Sequence, residues 1–519
     1  MKTEHRIQDT NYRRQKTEDS PPKGRRICEI WKVFLIVVLA ASSAVFAQST
    51  VDFNDYFVDK TMRVDYYITG DSNEEIISID QIYQTDGWAG NPKNLIFPFN
   101  NGDHFVKVYS AATNEFIYSK CFSTIFGEYK TTKPGRNKVK RTFHESALIP
   151  FPKMPVVFVV EARNRDNSLH PVFIEKIDPA DANIVKDKPN KEDRIYESMK
   201  NGPAHEKLDM VFVAEGYTSD KWEKFQKDVD KYRDVFFSAE PYKDQKDKFN
   251  IYGVFRPSSE NGVDEPRQGK FRNTVVSASY NALGLDRYLL VNDLKTLRDI
   301  AGNVPYDYLI VLANTSRYGG GGIYNNYTIF TADDSRSKEI FMHEFGHGFA
   351  GLADEYYDAS VAYEEFYKPG IEPLEYNITA LLDANNVKWK RLLSPGIAVP
   401  TPWGKDEAES LEKQRQENQK KSDEEVAALK KENADDEKIQ EVKKSYREKN
   451  KQINSQISEI RDKYKKMYEG KIGVFEGAGY SSKGLYRSEL ELGMFYTKGF
   501  RYGIVSQDEI KKYIDFYTN

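Results

Sequence analysis

The sequence contains little cysteine, little histidine and almost no excess of charge of either sign. Two cysteines, Cys28 and Cys121, are too few for a disulfide scaffold or for a metal site built from several thiolates. The 76 basic and 80 acidic residues give a formal net charge of -4, so no global field attracts nucleic acid or an anionic membrane. Seven histidines leave few candidates for imidazole chemistry.

A short apolar run lies near the start of the chain. Residues 33–41, VFLIVVLAA, follow a long polar and basic stretch and precede small residues at Val45 and Ala47. This order predicts a secretory signal peptide over residues 1–47, because a membrane span requires roughly 20 apolar residues. The alternative is an uncleaved signal anchor. With cleavage, the mature chain is expected to be secreted, periplasmic or at the cell surface, without a membrane span.

Two patterns divide the rest of the chain, which is rich in aromatic residues and therefore suited to folded cores. Residues 51–185 contain short β-branched and aromatic runs between turn residues, which predicts an N-terminal β-sandwich-like domain. Residues 186–207 have the composition of a linker. Strands and helices alternate from there on, which predicts a second, α/β domain over residues 206–519. The predicted fold class is α+β.

Residues 405–466 form a charged segment without glycine or proline. Seven apolar or aromatic residues recur at spacings of three, four and seven, which is typical of a narrow stripe on a long helix. They are Ile439, Val442, Tyr446, Ile453, Ile457, Ile460 and Tyr464. The pattern predicts a helical hairpin inserted in the second domain. A solvated insertion is the favoured interpretation and a partner-binding arm is the alternative.

One short segment carries residues suited to metal chemistry. His343-Glu344-Phe345-Gly346-His347 places two histidines four residues apart, so that a helix presents both imidazoles on one face. Glu344 lies beside them, where its carboxylate can take a proton from zinc-bound water as a general base. The alternative is a pair of helix histidines whose hydrogen bonds are satisfied without a metal.

The third metal ligand is expected to be a carboxylate, because no histidine follows His347. A catalytic zinc ion takes three protein ligands and leaves one position for water. Gly351 can end the helix, and Asp354 and Glu355 follow it. Metzincins space the ligands as H-E-x-x-H-x-x-G-x-x-H or D, and the G-x-x-D spacing from Gly351 is kept here. It favours Asp354, with Glu355 as the alternative.

Three segments together resemble the immunoglobulin A (IgA) peptidase family of secreted bacterial zinc metallopeptidases. They are HEFGHGFAGLADEYY, FVAEGYT at Phe212–Thr218 and GAGYSSKGLYR at Gly477–Arg487. The resemblance covers nearly all of the mature chain and implies a metzincin-like catalytic domain with one Zn²⁺ per chain. It also implies that Met494 occupies a Met-turn. Tyr496, two residues further on, is a candidate to stabilise an oxyanion, although packing is its more common role.

These observations predict a secreted zinc-dependent endopeptidase. Zinc-bound water, deprotonated by Glu344, would attack a peptide bond of a protein substrate. The substrate would extend along a predicted edge strand at Ile323–Thr331, which follows a predicted turn of four glycines at Gly319–Gly322. The family is named for a member that cleaves the immunoglobulin A hinge, so a host glycoprotein or immunoglobulin is among the candidate substrates. The alternative function is a non-catalytic adhesin or glycan-binding protein with a vestigial metal site, and the intact Glu344 argues against it.

Overall fold

The computed structural model of the chain describes residues 51–186, 190–357, 366–490, 493–494 and 500–519. The predicted signal peptide, residues 1–47, and Tyr496 lie outside these ranges. Residues Val51–Asn519 form one compact unit. Among the described residues, no helix combines the length and the apolar character that crossing a bilayer requires. The fold mixes helices and several sheets, which confirms the predicted α+β class.

The N-terminal module, residues 51–186, is built from two four-stranded sheets with the strand orders β5-β1-β2-β8 and β4-β3-β6-β7. Its strands are β1 (Phe57–Gly70), β2 (Glu75–Asp86), β3 (His104–Ser110), β4 (Phe116–Phe122), β5 (Arg141–Pro152), β6 (Val156–Arg163), β7 (Leu169–Ile177) and β8 (Val185–Lys186). Its short helices are α1 (Phe53–Tyr56), α2 (Ile125–Thr131) and α3 (Lys133–Arg136). Alternate residues of β1, β3 and β6 from both sheets fill one shared apolar core, which is the arrangement that a sandwich requires.

The second part of the chain is organised around a six-stranded sheet, called the central sheet, with the order β13-β14-β12-β10-β11-β9. Its strands are β9 (Arg194–Met199), β10 (Leu208–Glu215), β11 (Phe249–Phe255), β12 (Tyr308–Ala313), β13 (Gly320–Ile323) and β14 (Tyr327–Thr331). The four inner strands run parallel, and both outer strands run antiparallel to them. Parallel strands are buried on both faces, which explains their nearly continuous apolar sequences.

Helices cover both faces of the central sheet. They are α4 (Trp222–Phe236), α5 (Leu294–Ala301), α6 (Ser337–Ala350) and α9 (Ile504–Thr518). Alternation along β10 sends Met210 and Phe212 toward α4, α6 and α9, whereas Val211 and Val213 face α5. A small sheet of β15 (Ile378–Thr379), β17 (Ser481–Arg487) and β16 (Phe475–Ala478) completes this part of the chain.

Two expectations about strands were wrong. The predicted linker contains β9, which pairs with β11 at the edge of the central sheet. The predicted edge strand at Ile323–Thr331 contains the end of β13, a turn and β14. Of these, β14 is an inner strand, because it lies between β12 and β13. Three of the four glycines expected to form a turn, Gly320–Gly322, instead belong to β13. The Leu289 N–H donates a backbone hydrogen bond to the Gly320 carbonyl. Glycine has no side chain to signal a strand, so the sequence pattern placed the turn too early.

The charged segment forms two helices, α7 (Lys405–Lys431) and α8 (Asp436–Tyr468), which pack on each other. Ile439, Ile453 and Ile457 of the predicted stripe are buried between them. At the base of this hairpin, buried Lys405 forms ion pairs with Glu409 and Glu476. The base is therefore part of the folded unit, whereas the remainder presents mostly charged side chains to solvent.

A buried charged group lies inside the N-terminal module. The His104 side chain is fully buried, with Nδ1 2.6 Å from Asp103 Oδ1 and Nε2 2.5 Å from Glu75 Oε1. Burial opposes protonation, but the two carboxylates outweigh it and raise the pKa of His104 to about 9. Burial also opposes ionisation of Glu75, yet His104 and Lys130 lower its pKa to about 2. A charged imidazolium thus links β2 and β3, one strand from each sheet.

Replacing His104 with Gln is expected to change how stability depends on pH. Because the folded-state pKa of His104 is raised, its contribution is complete below about pH 6.5 and is lost as the pH rises through about 9. The difference in unfolding free energy between the wild type and His104→Gln should shrink by at most about 1.4 kcal/mol per pH unit in this interval. Urea denaturation at several pH values measures it. A difference that stays constant from pH 6 to 9 would contradict the charged pair.

Candidate metal centre

The glycine-rich strand β13 lies directly against helix α6, which carries the two histidines. A Cβ atom on Gly320 would stand 2.9 Å from Glu344 Cγ, and one on Gly322 would stand 2.3 Å from the Glu344 carbonyl oxygen. A side chain at position 322 would collide with the helix backbone, and one at position 320 would displace the Ile340 and Glu344 side chains. The glycines therefore let strand and helix approach closely, which brings Glu344 and His347 to the edge of the central sheet.

Three ligand atoms converge at the end of α6. His343 Nε2 and His347 Nε2 are 3.1 Å apart, and Asp354 Oδ1 lies 3.2 Å from the first and 3.3 Å from the second. All three side chains are at least four-fifths buried. His347 Nδ1 contacts the Leu352 carbonyl at 2.6 Å, and His343 Nδ1 lies 3.5 Å from that of Gly493. With a metal ion bound, these carbonyls can accept hydrogen bonds from the Nδ1 protons, so that each Nε2 can present a lone pair to the ion.

The chain returns to the histidines through a left-handed turn. Helix α6 ends at Ala350, and Gly351 adopts φ 59°, as the sequence predicts for a helix-ending glycine. The side chain of fully buried Asn377 then forms hydrogen bonds with both backbone polar groups of Ala353. Its Oδ1 accepts from the Ala353 N–H at 2.8 Å, and its Nδ2 donates to the Ala353 carbonyl at 2.9 Å. These two bonds fix the backbone immediately before Asp354.

Contacts from distant segments hold Asp354 and the floor of the site. Tyr480 Oη donates to Asp354 Oδ2 at 2.5 Å, and the Tyr356 hydroxyl lies near this carboxyl group. Met494 is fully buried, its sulfur lies 3.2 Å from where a Cβ on Gly346 would stand, and its carbonyl accepts from the Glu355 N–H. The Glu355 side chain is buried near Asn377, Glu489 and Arg487. It does not belong to the group of converging atoms.

Burial and neighbouring charges set the protonation of these residues. Burial raises the pKa of Glu344, against the effect of His343 and His347. Burial also favours neutral Asp354, but the two histidines outweigh it and hold the pKa of this carboxyl well below its usual range. The same interaction raises the pKa of His347 to about 9, although burial alone would lower it.

The converging atoms face a cleft of about 1000 Å³. His343, Glu344, His347 and Asp354 line it together with β13. The opposite wall belongs to the N-terminal module and includes Glu75, Asp103 and Arg163. The volume lies at the upper end of the range for small-molecule sites, so an extended peptide can enter.

A second set of metal-ligand types lies in the N-terminal module but already contains cations. Asp65, Asp80 and His144 share one face of the β5-β1-β2 sheet. Lys295 Nζ lies 2.6 Å from the Asp80 oxygen that faces His144, and Arg63 Nε lies 3.1 Å from Asp65. These side chains neutralise the carboxylates, so the set functions as an ionic contact between the module and α5.

Two buried imidazoles and one carboxylate at the floor of a peptide-sized cleft place the chain among proteins built to hold a metal ion beside a substrate. Family models identify which of these proteins it resembles. The model described as IgA Peptidase M64 matches residues 197–514, and the model described as Peptidase M64 N-terminus matches residues 52–174. The chain belongs to the IgA peptidase M64 family, which confirms the predicted family.

Membership of this metallopeptidase family makes the chain a peptidase that acts on proteins or peptides. A comparison with curated proteins gave no match.

The structure brings together His343, Glu344, His347 and Asp354 as the sequence predicts, and it adds residues that sequence reasoning missed. Asn377 lies in a loop without a recognisable pattern, so no local signal connects it to Ala353. Tyr480 belongs to the GAGYSSKGLYR segment that supported the family resemblance, but its sequence does not reveal a contact with Asp354, 126 residues earlier.

Gly322→Ala is expected to destabilise the protein and disturb the metal centre. The added methyl would overlap the Glu344 carbonyl and lie 3.0 Å from His347 Cβ, which should cost about 1–3 kcal/mol of unfolding free energy. Gly302→Ala is the matched control, because its nearest contact would be 3.2 Å and its φ is -64°. Thermal unfolding compares the two variants. Equal unfolding free energies for the two variants would show that β13 and α6 can move apart without loss of stability.

Proposed function

We propose that the chain is a secreted, zinc-dependent endopeptidase with a metzincin-like catalytic domain. The basic and apolar pattern of residues 1–47 supports export as a signal peptide. The G-x-x-D spacing after α6 and the position of Met494 beneath the histidines support the metzincin likeness. We also propose an N-terminal domain at 51–185 and a catalytic domain at 206–519, with the helical insertion at 405–466.

The observation that carries the proposal is the triangle formed by His343 Nε2, His347 Nε2 and Asp354 Oδ1. Its edges are 3.1, 3.2 and 3.3 Å. Zinc–nitrogen and zinc–oxygen bonds of about 2.0–2.1 Å in a regular tetrahedron place ligand atoms about 3.3–3.4 Å apart. Two imidazoles and one carboxylate are also a ligand set that catalytic zinc uses. Distances and donor chemistry therefore both fit zinc, and support Asp354 over Glu355 as third ligand.

The zinc ion would supply Lewis acidity, which would polarise the peptide carbonyl and make water easier to deprotonate. Glu344 lines the same cleft beside both histidines, so its carboxylate can accept the proton of the attacking water. The protonated Glu344 can then donate to the amine that leaves.

The cleft supports action within a chain rather than at one end. It extends from the metal centre to the N-terminal module and is lined by residues of both. Acidic and basic side chains both line it, including Glu75, Glu128, Arg163 and Arg287. No single charge dominates, which favours an extended polypeptide over a small anionic or cationic ligand. A protein substrate fits this surface best.

Zinc content is expected to depend on His343, His347 and Asp354. The purified protein should bind about one zinc ion per chain, and His343→Ala, His347→Ala and Asp354→Ala should each lower zinc affinity severely. Glu355→Ala is the matched control and should retain zinc, because its side chain lies outside the triangle. Metal analysis and chelator competition provide the measurement. Zinc loss confined to Glu355→Ala would reverse the choice of third ligand.

Glu344→Gln is expected to keep zinc and lose activity. The amide cannot accept a proton from water, so kcat should fall by about 10²–10⁴-fold. Cleavage of casein, an unstructured protein, tests this with and without a chelator. If casein stays intact with the zinc-loaded wild type, a binding protein with a vestigial site becomes the better description. Substantial turnover by Glu344→Gln would assign proton transfer to another residue.

A further inference from the structure

The turn between β16 and β17 contains a tyrosine in an unfavourable backbone conformation. Ala478 pairs with Ser481, so Gly479 and Tyr480 alone form the hairpin loop. Their φ angles are 55° and 64°. Positive φ at both central residues is the signature of a type I′ turn, in which Asn-Gly or Gly-Gly is preferred. A bulky residue rarely adopts this conformation, so the local backbone does not explain a tyrosine here.

This turn is attached directly to the segment that carries Asp354. Gly479 N–H donates to the Asp354 carbonyl at 3.0 Å, and Tyr480 N–H donates to the Tyr356 carbonyl at 2.9 Å. The Tyr480 ring lies against Tyr356 and Phe366, with centroids 5.4 and 6.1 Å away. Backbone and ring contacts together fix where the Tyr480 hydroxyl points.

The hydroxyl acts on one oxygen of Asp354. Tyr480 Oη donates to Oδ2 at 2.5 Å, while Oδ1 faces His343 and His347 and accepts no hydrogen bond from any other residue that the structure describes. The two oxygens of the buried carboxylate therefore have separate roles. An outer partner of this kind orients a metal ligand and limits the ways in which it can bind.

We propose that Tyr480 is a positioning residue that holds Asp354 so that Oδ1 alone faces the metal ion. The proposal rests on the proposed function of this centre. The unfavourable turn conformation is explained by the position it gives the hydroxyl, because strained residues persist where the surrounding structure and a functional contact hold them. Tyr480 acts through Asp354.

The test is the zinc affinity of the full chain with Tyr480→Phe, measured by chelator competition. This variant keeps the ring and the turn but removes the hydroxyl, so zinc affinity should fall about 10–100-fold. Tyr486→Phe is the matched control, because it removes a hydroxyl from the same hairpin at a position paired with Glu476 and away from Asp354. Its zinc affinity should equal that of the wild type.

The cobalt-loaded proteins provide a second readout, since Tyr480→Phe should alter the visible absorption of bound Co²⁺ and Tyr486→Phe should not.

Tyr480→Asn separates a metal-related role from a structural one. Asparagine tolerates positive φ better than tyrosine, so the hairpin should fold, as checked by the thermal midpoint. We expect the same loss of zinc affinity as in Tyr480→Phe. Wild-type affinity in either variant would overturn the proposal. If His343→Ala also keeps full zinc affinity, the metal centre itself is wrongly assigned. If His343→Ala loses zinc while Tyr480→Phe retains it, the metal centre stands and only the role proposed for Tyr480 is wrong.

Discussion

The approach of Asp354 to two histidine side chains is the constraint on which the rest of the site depends. Three electron-rich atoms lie 3.1–3.3 Å apart in a largely buried position, where they repel one another unless positive charge lies among them. Helix α6 can present the imidazoles through its own periodicity. The carboxylate has to be brought back by the chain after the helix, and several distant contacts serve that return.

These contacts act from different directions. Gly351 reverses the chain, Asn377 fixes the backbone at Ala353, and Tyr480 binds the outer oxygen of the carboxylate. Met494 closes the floor beneath Gly346 and receives the Glu355 N–H. Each contact links a residue near Asp354 to a segment elsewhere in the sequence. The candidate ligands are therefore preorganised, because the fold holds their side chains in place.

The N-terminal module contributes to the same arrangement. Tyr324–Asn326, the turn between β13 and β14, is bound by it: Asn325 donates to the Cys121 carbonyl, and Asn326 donates to Glu145. This turn ends the glycine-rich strand on which α6 rests. Phe97, Phe105 and Cys121 of the module also enter the apolar core around α6 and α9. The module therefore supports the strand beneath α6 and forms one wall of the cleft.

The sequence by itself determined the local features: the α+β class, the alternation of strands and helices in the second domain, the two long charged helices and the helix with His343 and His347. Each depends on periodicity or on residues fewer than five positions apart, which a linear pattern records. It also limited the candidates for a third metal ligand to two adjacent acidic residues. Tertiary structure placed Asp354 beside the histidines and Glu355 away from them, made Gly320–Gly322 part of a strand, and brought Asn377 and Tyr480 to the site. These outcomes depend on packing between segments far apart in the chain, where the close approach of backbone and side chains decides which residues meet.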